Sequence, residues 1–153
     1  MKTDKGNANS IEVLLVEDSP GDVRLTQEAF REANQSIHLQ VATDGVEAMA
    51  YLRNEGVHAS DPSPVLILLD LNLPRMDGRQ VLAQIKQDPR LKSIPTIILS
   101  TSAAETDIAK SYLLQANCYL CKPVELEVFE SLVKNINDFW LLKAQLPPRV
   151  QPV

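Results

Sequence analysis

The sequence predicts an α/β protein with a doubly wound parallel sheet of five strands alternating with five helices. Three observations carry that expectation. Short apolar runs, clearest at Ile11 to Val16, Val65 to Leu69 and Pro95 to Ser100, fit strands covered on both faces. The segments between them place apolar residues at helical spacing. The apolar runs end in Glu17-Asp18, Asp70 and Ser100, with Lys122 ending a fifth run, and open α/β sheets gather ligand sites at such strand ends.

Taken in order, residues 1–10 are expected to be a disordered lead. Ile11 to Val16 forms the first strand, and Ser19-Pro20 starts a helix with a capping hydroxyl and a first-turn proline. Val23, Leu25, Ala29 and Phe30 supply its apolar face. A short strand over His38 to Ala42 follows, and Asp44 opens a helix carrying Ala48, Met49, Tyr51 and Leu52. Residues 54–64, rich in Gly, Ser, Asp and Pro, read as a long surface loop with no assigned chemistry. The third strand begins at Val65 and ends at Asp70, after which Pro74 and Gly78 turn the chain. A helix from about Gly78 to Asp88 faces Val81, Leu82 and Ile85 inward. The fourth strand runs to Ser100, a helix spans about Glu105 to Gln115, and the fifth strand covers Cys118 to Lys122. The last helix runs from near Glu125 to about Lys143, with Phe129, Leu132, Val133, Ile136 and Trp140 toward the sheet. One domain over 11–142 and a frayed tail over 143–153 complete the organisation.

Composition narrows the function. A chain of 153 residues supports one proper core, and its net charge of -5 argues against nucleic-acid binding, which needs a basic face. No apolar run approaches a membrane span and the first ten residues hold no secretory core, so a cytoplasmic protein is expected. Cys118 and Cys121 point to opposite faces of an extended strand, which suits buried free thiols better than a disulfide. Zinc would need two further ligands, and His38 and His58 are distant in sequence.

Strand ends on one edge bring Glu17, Asp18 and Asp70 together. Clustered carboxylates repel and raise one another's pKa unless a cation intervenes. A hard divalent ion answers this; Mg2+ suits it best, and Mn2+ or Ca2+ would substitute. Asn72, two residues past Asp70, offers a backbone carbonyl. Lys122 adds a compact positive charge and Ser100 a hydroxyl donor. Acids, metal, hydroxyl and lysine together describe phosphoryl transfer onto a carboxylate, with Asp70 as nucleophile.

These residues and their spacing resemble the response-regulator receiver domain of two-component signalling over about residues 11–142. The resemblance implies a flavodoxin-like (βα)5 fold with strand order 2-1-3-4-5. It implies that Asp70 is the phosphoacceptor and that Glu17, Asp18, Asp70 and the Asn72 carbonyl hold the metal. Ser100 and Lys122 match the residues that meet the phosphoryl group, Pro123 the proline reached through a cis bond, and Tyr119 the aromatic switch residue. Glu17 stands where aspartate is commoner, and Thr101 where Ala or Gly is common, which narrows access to Asp70. Such a protein takes its phosphoryl group from a histidine kinase and loses it slowly, without turning over a separate substrate. Leu-Val-Glu-Asp-Ser-Pro-Gly-Asp (15–22) and Leu-Ser-Thr-Ser (99–102), with the loop 54–64, resemble the single-domain regulators paired with bacterial and cyanobacterial phytochromes.

Output is then expected through helix four, strand five (with Tyr119) and helix five. Phe139, Leu142 and Leu146 form a second apolar stripe on the last helix, the expected surface of a homodimer. The downstream partner is not identified by the residues. Three rivals stand beside this reading. A magnesium-dependent phosphatase would also use a carboxylate after a strand, as in Asp70-x-Asn72, but no substrate cap is evident. An FMN carrier would place phosphate where Glu17-Asp18 repels it. A receiver acting as an unphosphorylated scaffold would not need Asp70.

Overall fold

Burial on both faces is what makes the strands of this chain readable, and the structure bears it out. Leu66, Ile67, Leu68 and Leu69, the whole of the central strand, are completely buried. In this computed structural model residues 10–148 are described; almost all of the expected lead and the end of the expected tail lie outside the described residues. The elements are β1 (Ile11–Val16), α1 (Pro20–Ala33), β2 (Ile37–Ala42), α2 (Gly45–Leu52), β3 (Leu66–Leu69), α3 (Gly78–Gln87), β4 (Thr96–Ser100), α4 (Glu105–Leu113), β5 (Cys118–Cys121) and α5 (Leu126–Ile136). All strand pairs are parallel, in the order β2-β1-β3-β4-β5.

Alternation along each strand divides the core in two. Leu14, Val16, Ile67, Leu69 and Ile98 face α2 and α3, meeting Ala48, Leu52, Val81, Leu82 and Ile85. Val13, Leu15, Leu66, Leu68, Ile97 and Leu99 face α1 and α5, meeting Phe30, Phe129, Val133 and Ile136. Fully burying one such side chain contributes about 1.5–3 kcal/mol, so these two layers hold the sheet edge rigid.

Two helix starts, those of α1 and α2, are set by side chains at the predicted places. The Ser19 hydroxyl accepts from the Asp22 N–H at 3.3 Å and the Asp44 carboxylate from the Glu47 N–H at 2.8 Å. Asp77 and Gln80 form a reciprocal capping box at the start of α3.

Four local expectations need correction. Leu25 is 38% exposed; Thr26 takes its place inside α1, with its hydroxyl donating to the Asp22 carbonyl at 2.7 Å. The thiols are free, but Cys118 is half-buried and Cys121 exposed, because β5 is an edge strand. The loop 54–64 is not merely surface: Asp61 and Ser63 are buried, and Tyr51 donates its hydroxyl proton to the Pro62 carbonyl at 2.7 Å. The Asn54 side-chain amide also donates to the His58 and Asp61 carbonyls, at 3.1 and 2.9 Å. The last helix loses α-helical hydrogen bonding after Ile136 and continues as a π-helix over Asn137–Lys143. Among the described residues no helix is long and apolar enough to cross a membrane.

A lysine fastens the amino-terminal edge of the sheet. The Lys86 ammonium donates to the Lys92 carbonyl (3.0 Å), the Ile94 carbonyl (3.0 Å) and Asn117 Oδ1 (2.9 Å). No carboxylate is among these partners, and burial lowers its pKa. Hydrogen bonds to charged groups contribute about 1.5–3 kcal/mol each in favourable cases. Lys86→Met is therefore expected to lower unfolding free energy by about 1–3 kcal/mol, read as a reduced urea midpoint with unchanged slope.

Candidate functional site

Register alone brings the acidic residues together. β1 and β3 are neighbours with Val16 opposite Leu69, so Glu17 and Asp70, the next residues, leave the sheet side by side. The Asp70 N–H donates to the Val16 carbonyl at 3.0 Å, and the Glu17 N–H to the Ala42 carbonyl at 2.9 Å. β4 and β5 pair Ser100 with Cys121, and the Lys122 N–H donates to the Ser100 carbonyl at 2.7 Å. The chain reverses its strand order between β1 and β3, which opens the crevice typical of such sheets.

One carboxylate oxygen from each of Glu17, Asp18 and Asp70 lies within 4.8 Å of the others. Glu17 and Asp70 are buried, at 3% and 8% exposure, while Asp18 is open to solvent. The Lys122 ammonium donates to Glu17, donates to Asp22 Oδ2 at 3.0 Å, and stands 3.7 Å from Asp70 Oδ2. Burial pushes the Glu17 carboxyl above the usual carboxylate range, with Lys122 pulling it down and the Asp70 charge adding to the rise. Burial alone would lower the Lys122 ammonium, but its bond to Glu17, with the charges of Glu17, Asp70 and Asp22, holds it above its ordinary value. The donor set is all oxygen, with one cation against several acids. It fits a hard divalent ion and does not fit a soft metal.

Backbone turns complete the crevice. The Gly78 N–H donates to the Leu71 carbonyl at 2.9 Å, and a Cβ at Gly78 would lie 2.2 Å from the Asp70 carbonyl oxygen. Only glycine lets α3 start this close to the Asp70 backbone. Asn72 is exposed, and its N–H donates to Asp70 Oδ1 at 3.5 Å.

Ser100 is fully buried at the end of β4, and its hydroxyl oxygen accepts from the Ser102 N–H at 3.2 Å. Thr101 is exposed and lines a groove with Asp22, Leu25, Lys122 and Pro123. The Tyr119 ring packs partly against the core on the α3 side, and its hydroxyl donates to the Ser102 carbonyl at 2.9 Å. No peptide bond among the described residues is cis, so the cis bond implied before Pro123 is corrected to trans. Trans is the intrinsically favoured isomer of such a bond by about 0.5–1 kcal/mol. Phe139 and Leu142 lie remote from this edge, on the π-helical segment, 56% and 62% exposed.

Sequence reasoning missed Asp22, the second carboxylate on Lys122, although it sits one helical turn beyond Asp18. It also missed Ser102, Arg79 and Asp107, whose side chains meet beside the crevice: Ser102 Oγ donates to Asp107 Oδ2 at 2.6 Å and Arg79 Nη2 to Asp107 Oδ1 at 2.7 Å.

The chain matches the family described as response regulator receiver domain over residues 13–134. It is 46% identical to the response regulator Rcp1 of Synechocystis sp. over 145 residues, 95% of this chain and 98% of that protein. The crystal structure of the phosphorylated cyanobacterial phytochrome response regulator RcpA superposes with a TM-score of 0.87 at 51% identity, covering 90% of this chain and 99% of that one. The Mn2+-bound form of Rcp1 gives a TM-score of 0.85 at 47% identity, again covering 90% and 99%. With its acidic cluster, lysine and strand order as described, the chain belongs to the response regulator receiver domain family.

Proposed function

We propose that Asp70 accepts a phosphoryl group from a phytochrome-type histidine kinase, and that the protein signals by protein contacts of its α4, β5 and α5 surface. The observation that supports this most is the nearly buried Asp70 carboxylate at the crevice floor, with the Lys122 ammonium 3.7 Å away. In the transfer, an Asp70 oxygen forms the bond to phosphorus as the phosphohistidine P–N bond breaks, and the imidazole leaves with the electron pair. A divalent ion held by Glu17, Asp18, Asp70 and the Asn72 main-chain carbonyl would neutralise the phosphoryl oxygens during this step. Lys122 meets one phosphoryl oxygen, and the Ser100 hydroxyl, freed from the Ser102 N–H, donates to another. Thr101 narrows the approach of water from the groove it lines.

The kinase type is supported by likeness to Rcp1 and to the phytochrome regulator RcpA. In this reading the protein acts in the cytoplasm and forms a homodimer through the α5 region. Phe139 and Leu142 supply the apolar contact, and Tyr119, on β5, belongs to the output surface. The Phe139 ring stands edge-on to Trp140 at 5.5 Å between centroids, so the indole reports on that surface.

Acetyl phosphate or a phosphorylated kinase, with Mg2+, is expected to add one phosphoryl mass that hydroxylamine removes. Asp70→Asn and chelator each abolish it; a wild-type protein that stays unmodified overturns the reading. Mg2+ is also expected to raise the thermal midpoint, by about 2.7 kcal/mol of stabilisation at a hundredfold excess over Kd, and Asp18→Asn loses most of that gain. For the dimer, sedimentation at micromolar concentration is expected to show a two-chain species that Phe139→Asp with Leu142→Asp converts to one chain. A wild-type monomer in both phosphorylation states removes the dimer from the proposal.

A further inference from the structure

The loop between β4 and α4 is held by one residue that the phosphoryl site does not itself require. Ser102 uses every polar group it has. Its N–H donates to the Ser100 hydroxyl at 3.2 Å, and its carbonyl accepts from the Tyr119 hydroxyl at 2.9 Å. Its own hydroxyl donates to Asp107 Oδ2 at 2.6 Å and accepts from the Ala104 N–H at 3.2 Å. Thus a single residue touches both Ser100 and Tyr119, the two side chains expected to move on phosphorylation.

Its anchor is ionic. Asp107, in the first turn of α4, accepts on its other oxygen from Arg79 Nη2 at 2.7 Å. The Ser102 hydroxyl first, and the Arg79 guanidinium second, hold the Asp107 carboxyl below the usual carboxylate range. Arg79 belongs to the first turn of α3, where its Nη1 also donates to Asp77 Oδ2 at 3.3 Å. That helix is tied in turn to the Asp70 loop through the Gly78 N–H and the Leu71 carbonyl. Both partners of the Arg79–Asp107 pair are about three-quarters covered, at 27% and 28% side-chain exposure.

We infer that Arg79, Asp107 and Ser102 form a latch that positions the β4–α4 loop and so sets how much of the protein, before any phosphorylation, holds Tyr119 inward. These are positioning residues, acting through Tyr119 and Ser100. The latch works by differential contact: its bonds exist only while the loop lies against α3 and α4, so they favour that arrangement over any in which the loop departs. A phosphoryl group that draws Ser100 toward Asp70 then acts on an equilibrium whose starting point the latch has fixed.

The inference rests on the phosphoacceptor reading for its purpose, but its test does not. The protein has three tyrosines, Tyr51, Tyr112 and Tyr119, so fluorotyrosine labelling gives three resonances assignable by single Tyr→Phe variants. Ser102→Ala is the decisive change: it keeps the N–H and the carbonyl that Tyr119 uses, and removes only the hydroxyl, with its bond to Asp107 and the one it accepts from the Ala104 N–H. In unphosphorylated protein, Ser102→Ala, Asp107→Asn and Arg79→Met are each expected to reduce the inward Tyr119 population at least threefold. Arg79→Lys, which keeps one charged donor, restores part of it. Combining Arg79→Met with Ser102→Ala should do no more than Ser102→Ala alone, because the contacts lie in series. An unchanged Tyr119 signal in Ser102→Ala, or additive losses in the pair, overturns the latch. Should Asp107→Asn fail to fold, the Ser102→Ala and Arg79→Lys results decide the matter. Absence of an acyl phosphate on the wild type would instead overturn the phosphoacceptor role and leave the tyrosine result standing.

Discussion

The site of this protein rests on a charge imbalance that straddles the boundary between a buried crevice floor and solvent. Lys122 reaches Glu17, Asp22 and Asp70, and Asp18 stands beside them, so one ammonium faces four carboxylates. Each buried ion costs several kcal/mol to desolvate unless it is paired. Lys122 relieves Glu17 most, and the crevice keeps a surplus of negative charge that further positive charge offsets. That surplus is what a hard divalent ion would neutralise. The Asp70 carboxylate lies 3.7 Å from the Lys122 ammonium, and a divalent ion held by Glu17, Asp18 and Asp70 would supply the remaining positive charge.

The sheet makes such an arrangement affordable in conformational terms. Four of the site residues, Glu17, Asp70, Ser100 and Lys122, are the last residues of strands or the first beyond them, and main-chain hydrogen bonds fix all but their side chains. The completely buried β3 between β1 and β4 leaves no slack through which these positions drift apart. The close approach at Gly78 extends this rigidity to the turn after Asp70, where any Cβ would strike the backbone.

What was legible in the sequence follows from the same physics. Strands buried on both faces appear as unbroken apolar runs, so β1, β3 and β4 and the polar residues that end them could be read directly. Helix starts were legible through Ser19 and Asp44, whose caps are local. Asp22 and the Ser102–Asp107–Arg79 contacts were not, because they depend on where α1, α3 and α4 sit relative to one another. Leu25 was misplaced for a related reason: helical periodicity tolerates Thr26 on the inner face once its hydroxyl bonds the Asp22 carbonyl. The anchoring of residues 54–64 was hidden because Asn54 and Tyr51 satisfy the loop's carbonyls and Asp61 pairs with the His58 ring at 2.8 Å, which composition does not reveal.

The two surfaces of the carboxyl-terminal half differ in what holds them. The π-helical segment begins at Asn137, which is 1% exposed and accepts from Asn34 Nδ2 at 3.1 Å, at the carboxyl-terminal cap of α1. Behind it Trp140 and Leu141 pack against the core layer shared by α1 and α5. The direction of the segment bearing Phe139 and Leu142 is therefore set by α1 and α5, neither of which contacts Ser102 or Tyr119 through a described hydrogen bond. The β4–α4 loop, by contrast, hangs on side-chain bonds at a partly solvated rim. Rearrangement of the side-chain bonds that hold the β4–α4 loop would therefore leave the direction of the π-helical segment to α1 and α5.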